Sequence, residues 1–74
     1  MASSSYCRDM GKGSWPELVG ADGQTATKII KNENPRLRVV VVKKGSFVTM
    51  DFRCDRVRVW VDQNGMVVQP PILG

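Results

Sequence analysis

The 74-residue sequence predicts a single α+β domain, and three observations carry that prediction. A capped amphipathic helix begins at Asp22. Two β-branched runs follow, at residues 37–42 and 56–61. The dozen residues between them, 44–55, far exceed a tight hairpin and are about the minimum for a parallel crossover.

Residues 1–14 are rich in Ser and Gly and are expected to form a flexible N-terminal arm, with the folded domain spanning 15–74. Trp15-Pro16-Glu17-Leu18-Val19 is a short apolar anchor closed by Gly20. At Asp22 a short carboxylate can accept from the free amides of the first helical turn. Ala26, Ile29 and Ile30 then recur at helical spacing as one apolar stripe, with Lys28, Lys31 and Asn32 facing out. Asn34-Pro35 ends the helix, because a residue before proline avoids the α region.

The four valines 39–42 predict a strand covered on both faces. Lys43, Lys44 and Gly45 stop it. Arg56-Val57-Arg58-Val59-Trp60-Val61 alternates, so Val57, Val59 and Val61 share one face and Arg56, Arg58 and Trp60 the other. Asp62-Gln63-Asn64-Gly65 reads as a hairpin turn, returning residues 66–69 as a short strand that Pro70-Pro71 places at an edge or ends.

Composition narrows the function. The chain is 42% apolar, carries 11 basic against 7 acidic residues, has a net charge of +4 and contains no histidine. Schemes built on Ser-His, Cys-His or a His-ligated metal are therefore excluded, and so small a core leaves little room for a buried substrate pocket. The expectation is a small monomeric binding protein rather than an enzyme, with no cofactor and no metal. No run reaches the 18 or so apolar residues of a membrane span, so no membrane partner is expected.

The basic balance raises nucleic acid as a partner. Arg36, Arg38, Lys43 and Lys44 flank the first run, and Arg53, Arg56 and Arg58 surround the second. Yet Tyr6, Trp15, Phe47, Phe52 and Trp60 show no interleaving suited to base stacking, which argues against it.

Three groups of residues leave alternatives open. Cys7 and Cys54 suit a structural bridge or a reduced pair; as lone nucleophiles they lack a base. Phe47, Val48, Met50 and Phe52 either fold back into the core or stand out on a functional loop. Arg56 and Arg58 are either solvated or reach back to brace that loop at Thr49 and Asp51.

The motifs Trp15-Pro16-Glu17-Leu18-Val19-Gly20, Val48-Thr49-Met50-Asp51-Phe52-Arg53 and Asp55-Arg56-Val57-Arg58-Val59-Trp60-Val61, with Pro71 and Gly74, resemble the potato inhibitor type I family of serine protease inhibitors. The resemblance runs from about Cys7 to Gly74. It is closer to the family's disulfide-containing squash and flax members than to its barley and leech members.

The resemblance implies one helix packed on a small mixed β-sheet, with a long exposed binding loop joining two parallel strands. It implies a substrate-like reactive-site loop of Phe47, Val48, Thr49, Met50, Asp51 and Phe52, with the scissile bond between Met50 and Asp51. Arg53, Arg56 and Arg58 would support the loop, and Cys7 would bridge Cys54. Such a bridge would place the protein in an extracellular or vacuolar compartment, although the polar start of the chain shows no signal peptide.

The squash and flax members carry lysine at the position of Met50. An adaptable thioether suits apolar specificity pockets rather than the acidic pocket of trypsin. The expected partners are therefore chymotrypsin-like and subtilisin-like serine proteases, in a role such as plant defence. A non-inhibitory interaction or storage module of the same fold is the alternative.

Overall fold

Helix α1, Gly23–Glu33, starts and stops at the positions that local chemistry dictates. The Asp22 carboxylate accepts from the amides of Gln24 at 2.9 Å and Thr25 at 3.2 Å. This satisfies two of the donors a helix start leaves free. At the other end Asn34 is extended, its amide bonds to Ile30 O, and its side chain accepts from the Arg36 amide. The computed structural model describes residues 13–74. Cys7 and nearly all of the expected N-terminal arm lie outside the described residues.

The helix buries Gly23, Ala26 and Ile30. Ile29, expected on the same stripe, is exposed. Each residue turns the helix by about 100°, so Ile29 sits well round from Ile30. A sheet this narrow cannot cover so wide an arc.

The sheet has three strands in the order β1 (Arg38–Lys43), β2 (Arg56–Val61), β3 (Ile72–Leu73). β1 and β2 are parallel, in register from Arg38 opposite Arg56 to Lys43 opposite Val61, and β3 runs antiparallel to β2. The expected α+β class with a small mixed sheet is what the chain adopts.

β2 is central, and its alternation is as expected: Val57, Val59 and Val61 are buried beneath the helix. β1 differs from the expectation. Val40 is 42% and Val41 47% exposed, so this valine run is not covered on both faces. β1 has a partner on one side only, and the described helix covers one face. β-branched residues satisfy strand sterics whether or not both faces are packed.

The segment after β2 also departs from the expectation. Asp62 opens the turn by accepting at its carboxylate from Asn64 N and Met66 N. Only Gly65 takes a positive φ, at 82°, as a turn followed by a one-residue bulge requires. Residues 66–69 then form bridges at Met66 and Val67 rather than a strand. Val67 is drawn toward the helix start, where it bonds to both Gly20 and Ala21. β2 is therefore paired on this side in two places. At its end Val67 bridges Val61 antiparallel, with Val68 N donating to Trp60 O and Asp62 N to Met66 O. At its start Val57 and Arg58 pair with Leu73 and Ile72, after the prolines. Pro71 has no N–H to donate, and its carbonyl accepts from Trp15 N at 2.9 Å.

Trp15, fully buried, pins the front of the domain. Its indole N–H donates to Glu33 Oε1 at 3.0 Å, so one side chain ties the entering segment to the helix end. The short 3-10 turn Pro16–Leu18 adds buried Leu18 to a core of Ala26, Ile30, Leu37, Val57, Val59, Val61, Val67 and Leu73. Gly13 and Ser14, assigned by sequence to the arm, pair with β3: Leu73 N donates to Gly13 O, and Ser14 bridges Ile72.

Gly23 marks the tightest contact between helix and sheet. A Cβ there would lie 2.9 Å from Val61 Cγ1 and 3.3 Å from Gly65 O. Overpacking of this kind costs about 1–3 kcal/mol, more than the fraction of a kcal/mol alanine returns through helix propensity. Gly23→Ala is expected to lower unfolding stability by about 1–2 kcal/mol in a urea titration, and an unchanged midpoint would refute the close packing.

Candidate functional site

Between β1 and β2 the chain leaves the sheet at Lys43 and returns at Arg56 with no regular structure. Gly45, at φ 91°, makes the exit turn, where Ser46 N bonds to Lys43 O. The crossover joins parallel strands, so it must travel from one end of the sheet to the other. It does so as an exposed arch.

Along the arch the side chains sort into two sets. Phe47 is fully exposed and Met50 is 96% exposed. These apolar residues do not fold back into the core. Val48 is half-buried and lines an open depression of about 430 Å³ together with Val40, Val42, Phe47, Thr49, Arg56 and Arg58.

Two arginines reach up from the solvent face of β2, where alternation places them. Arg58 Nη2 donates to Thr49 Oγ1 at 2.9 Å. Arg56 donates from Nη2 to the Asp51 carbonyl at 2.8 Å and from Nε to Gly74 O at 2.8 Å, and its Nη1 lies 3.4 Å from Asp51 Oδ2. The two guanidinium groups thus hold the arch on either side of Met50. A planar fork two residues along the strand from its twin suits this task, because both lie on one face and each offers several donors in fixed directions.

Arg53, expected among the supports, is placed differently. Its Nε pairs with Asp55 Oδ1 at 3.2 Å, two residues on, and its backbone amide rather than its side chain reaches Gly74 O. Gly74 was not singled out as a support in the sequence. Its oxygen takes both the Arg56 side chain and the Arg53 amide, and its Cα approaches the Phe52 ring so closely that a Cβ would sit 3.5 Å from it. Nothing local in the sequence marks this contact, which joins residues far apart in the chain.

The charge at the site follows from this geometry. The Asp51 carboxyl is held below the usual carboxylate range, first by the Thr49 hydroxyl, then by its own backbone amide and by the Arg56 guanidinium. Asp55 is lowered likewise by its bond to Arg53. A carboxylate with a depressed folded value stabilises its contacts fully above the unfolded pKa of about 3.9, and that support is lost as pH falls through the folded value. Order at Thr49 and Asp51, read by amide relaxation, is therefore expected to hold from pH 7 to about pH 4 and decline below it. Asp51→Asn should remove the part of that decline centred on the arch. Loosening already at pH 6 would assign the support to another group.

A small domain that displays one exposed, apolar-tipped arch braced from beneath has the form of a protein that presents a loop to a partner. The particular identity comes from comparison. Residues 7–74 match the potato inhibitor I family, and the chain belongs to it. It is a serine protease inhibitor by family.

The chain is 59% identical over 70 residues to the Glu S. griseus protease inhibitor of Momordica charantia, covering 95% of this chain and 100% of that one. It is 54% identical over 61 residues to the trypsin/subtilisin inhibitor of Amaranthus caudatus, covering 82% of this chain and 88% of the relative. Among solved structures it resembles the crystal structure of bitter gourd trypsin inhibitor, with a TM-score of 0.84 and 58% identity over 86% of this chain and 94% of that one.

Proposed function

We propose that the arch 47–52 is the reactive-site loop, with Met50 entering the primary specificity pocket of the protease and Met50-Asp51 as the scissile bond. Phe47, Val48 and Thr49 then lie in the subsites before the bond, and Asp51 and Phe52 on the leaving side. The observation that carries this reading is the pairing of an almost fully exposed Met50 with arginine bonds to the residues on either side of it.

The mechanism follows from that bracing. A preformed loop loses little conformational entropy on binding, so more of the contact energy appears as affinity. If the bond is cut, Arg56 keeps the Asp51 segment in place. The new amine remains beside the acyl-enzyme at high effective concentration and reseals the bond.

Target choice rests on the same side chain. The relatives are named for different targets, one for the Glu S. griseus protease and one for trypsin and subtilisin. Such variation on one fold is what loop-borne specificity produces. A long, unbranched, apolar Met50 suits chymotrypsin-like and subtilisin-like pockets. Titration of chymotrypsin, subtilisin and trypsin should show sub-micromolar inhibition of the first two and weaker inhibition of trypsin. Absence of such inhibition for all three would remove the reading.

The N-terminal arm is tethered in the same proposal by a Cys7–Cys54 bridge. Cys54 packs half-buried against the core just after the arch, and no free cysteine occurs among the described residues. A bridge closing so long a loop contributes about 4 kcal/mol in the chain-entropy model, a large share for a domain this small. Alkylation followed by intact-mass measurement should add no groups before reduction and two after it; two groups without reductant would exclude the bridge.

A further inference from the structure

We infer that the Met50 thioether is a modification site. Oxidation by a peroxide converts it to the sulfoxide and switches the inhibitor off, and reduction of the sulfoxide switches it back on. The inference rests on the reading of Met50 as the primary specificity residue.

The sulfur-bearing side chains among the described residues are Met50, Cys54 and Met66, and they differ in access. Met50 is 96% exposed. Cys54 is half-buried against the core, and no free cysteine occurs among the described residues. Met66 is half-buried where its turn bridges Asp22 at the helix start. Oxidation follows the exposure of the sulfur, so peroxide reaches Met50 before Met66.

The chemistry balances with peroxide alone. A sulfur lone pair attacks one peroxide oxygen and the O–O bond breaks. The departing hydroxide takes the proton of the transferred oxygen and leaves as water. Sulfur thereby loses two electrons and gains one oxygen. In the reverse change the oxygen leaves as water while a pair of thiols on a reductant becomes a disulfide, a reaction that methionine sulfoxide reductases catalyse.

The structure separates this step from the fold. Arg58 bonds to the Thr49 hydroxyl and Arg56 to the Asp51 carbonyl, so the braces hold the neighbours of Met50 and not its side chain. Met50 has no part in the core either. The oxidised arch keeps its shape, and only its tip changes. A sulfoxide oxygen is a strong acceptor, and an apolar specificity pocket offers it no donor, so entry strips its water without replacement.

The test treats the protein with hydrogen peroxide and locates each added oxygen by peptide mapping. Inhibition of chymotrypsin and subtilisin is titrated before treatment, after it, and after reduction by the two epimer-specific methionine sulfoxide reductases with a thiol donor. Conversion at Met50 should precede conversion at Met66. Inhibition should fall about 100-fold or more as Met50 is converted, and return on reduction. The unfolding midpoint in urea should not move. Met50→Leu is compared with itself before and after treatment. Whatever its starting affinity, it should change less than about 3-fold, because it carries no sulfur at that position.

Undiminished inhibition by protein fully converted at Met50 overturns the inference. So does an equal loss in Met50→Leu, which places the sensitive group elsewhere, or conversion of Met66 ahead of Met50. In each case an untreated parent that inhibits, and a Met50→Lys variant that redirects inhibition to trypsin, show that the loop assignment itself survives. An untreated parent that inhibits neither protease overturns both.

Discussion

Met50→Lys is expected to raise affinity for trypsin by about 100-fold or more and to lower it for chymotrypsin by a comparable factor. Burying a side chain the size of methionine is worth about 1.5–3 kcal/mol, or roughly 10- to 150-fold in affinity. Lysine forfeits that gain in an apolar slot, where its ammonium would also be desolvated without a partner. In the acidic pocket of trypsin the same ammonium gains a charge-assisted bond.

The effect should be clean, because Met50 is almost fully exposed and has no part in the core. Unfolding stability in urea should stay within about 0.5 kcal/mol of the parent. Redirected inhibition without a stability change identifies Met50 as the primary specificity residue. Unchanged inhibition of both enzymes would show that the protease contacts the chain elsewhere.

The second large effect is expected at the arginines. Arg56→Ala and Arg58→Ala should turn a slowly cleaved inhibitor into a substrate, with Arg56→Ala the more severe. Arg56 holds the Asp51 carbonyl and Gly74 O, each at 2.8 Å, whereas Arg58 holds the Thr49 hydroxyl alone. A hydrogen bond to a charged donor is worth about 1.5–3 kcal/mol, so each lost bond changes the retention of the leaving segment by roughly 10- to 150-fold.

The ion pair to Asp51 Oδ2 counts for less. It is 3.4 Å long, and the carboxylate is 50% exposed beside an arginine that is 13% exposed. Pairs so open to solvent contribute little, because water and salt screen them. Asp51→Ala should therefore cost less than Arg56→Ala, because the bond to the Asp51 carbonyl survives it. The measurement is the rate of loop cleavage at saturating protease, followed by mass. Equal rates for the parent and both arginine variants would remove the bracing role.

Much of the scaffold was legible because its signals are local. Asp22 and Asn34-Pro35 bound the helix through atoms within a few residues of each other. The strict alternation at 56–61 placed Arg56 and Arg58 opposite the buried valines, and a dozen residues without structural signals marked the arch. The resemblance then singled out Met50-Asp51 and the braces.

Where the reading departed from the structure, the deciding contacts are distant except at Arg53. A valine run cannot record whether β1 has a second neighbour, and Val40 and Val41 end up partly in water. Residues 66–69 do return beside the end of β2, where Val67 bridges Val61, but Val67 also bonds to Gly20 and Ala21, and the regular strand beside β2 is Ile72–Leu73. Arg53 has the same charge as Arg56 and lies closer in sequence to the arch, yet its guanidinium turns to Asp55.

The amino-acid sequence alone determined that this chain has no histidine chemistry, one capped helix, an alternating strand bearing two arginines and a long connection unsuited to a hairpin. Those properties depend on residue type and short-range spacing, which a linear chain states directly. Only the tertiary structure decided that Phe47 and Met50 stand in solvent, that Arg56 reaches Gly74 across eighteen residues, and that the arch is held from beneath on both sides of Met50. Exposure and bracing are relations between residues that folding brings together, set by which faces the narrow sheet leaves uncovered.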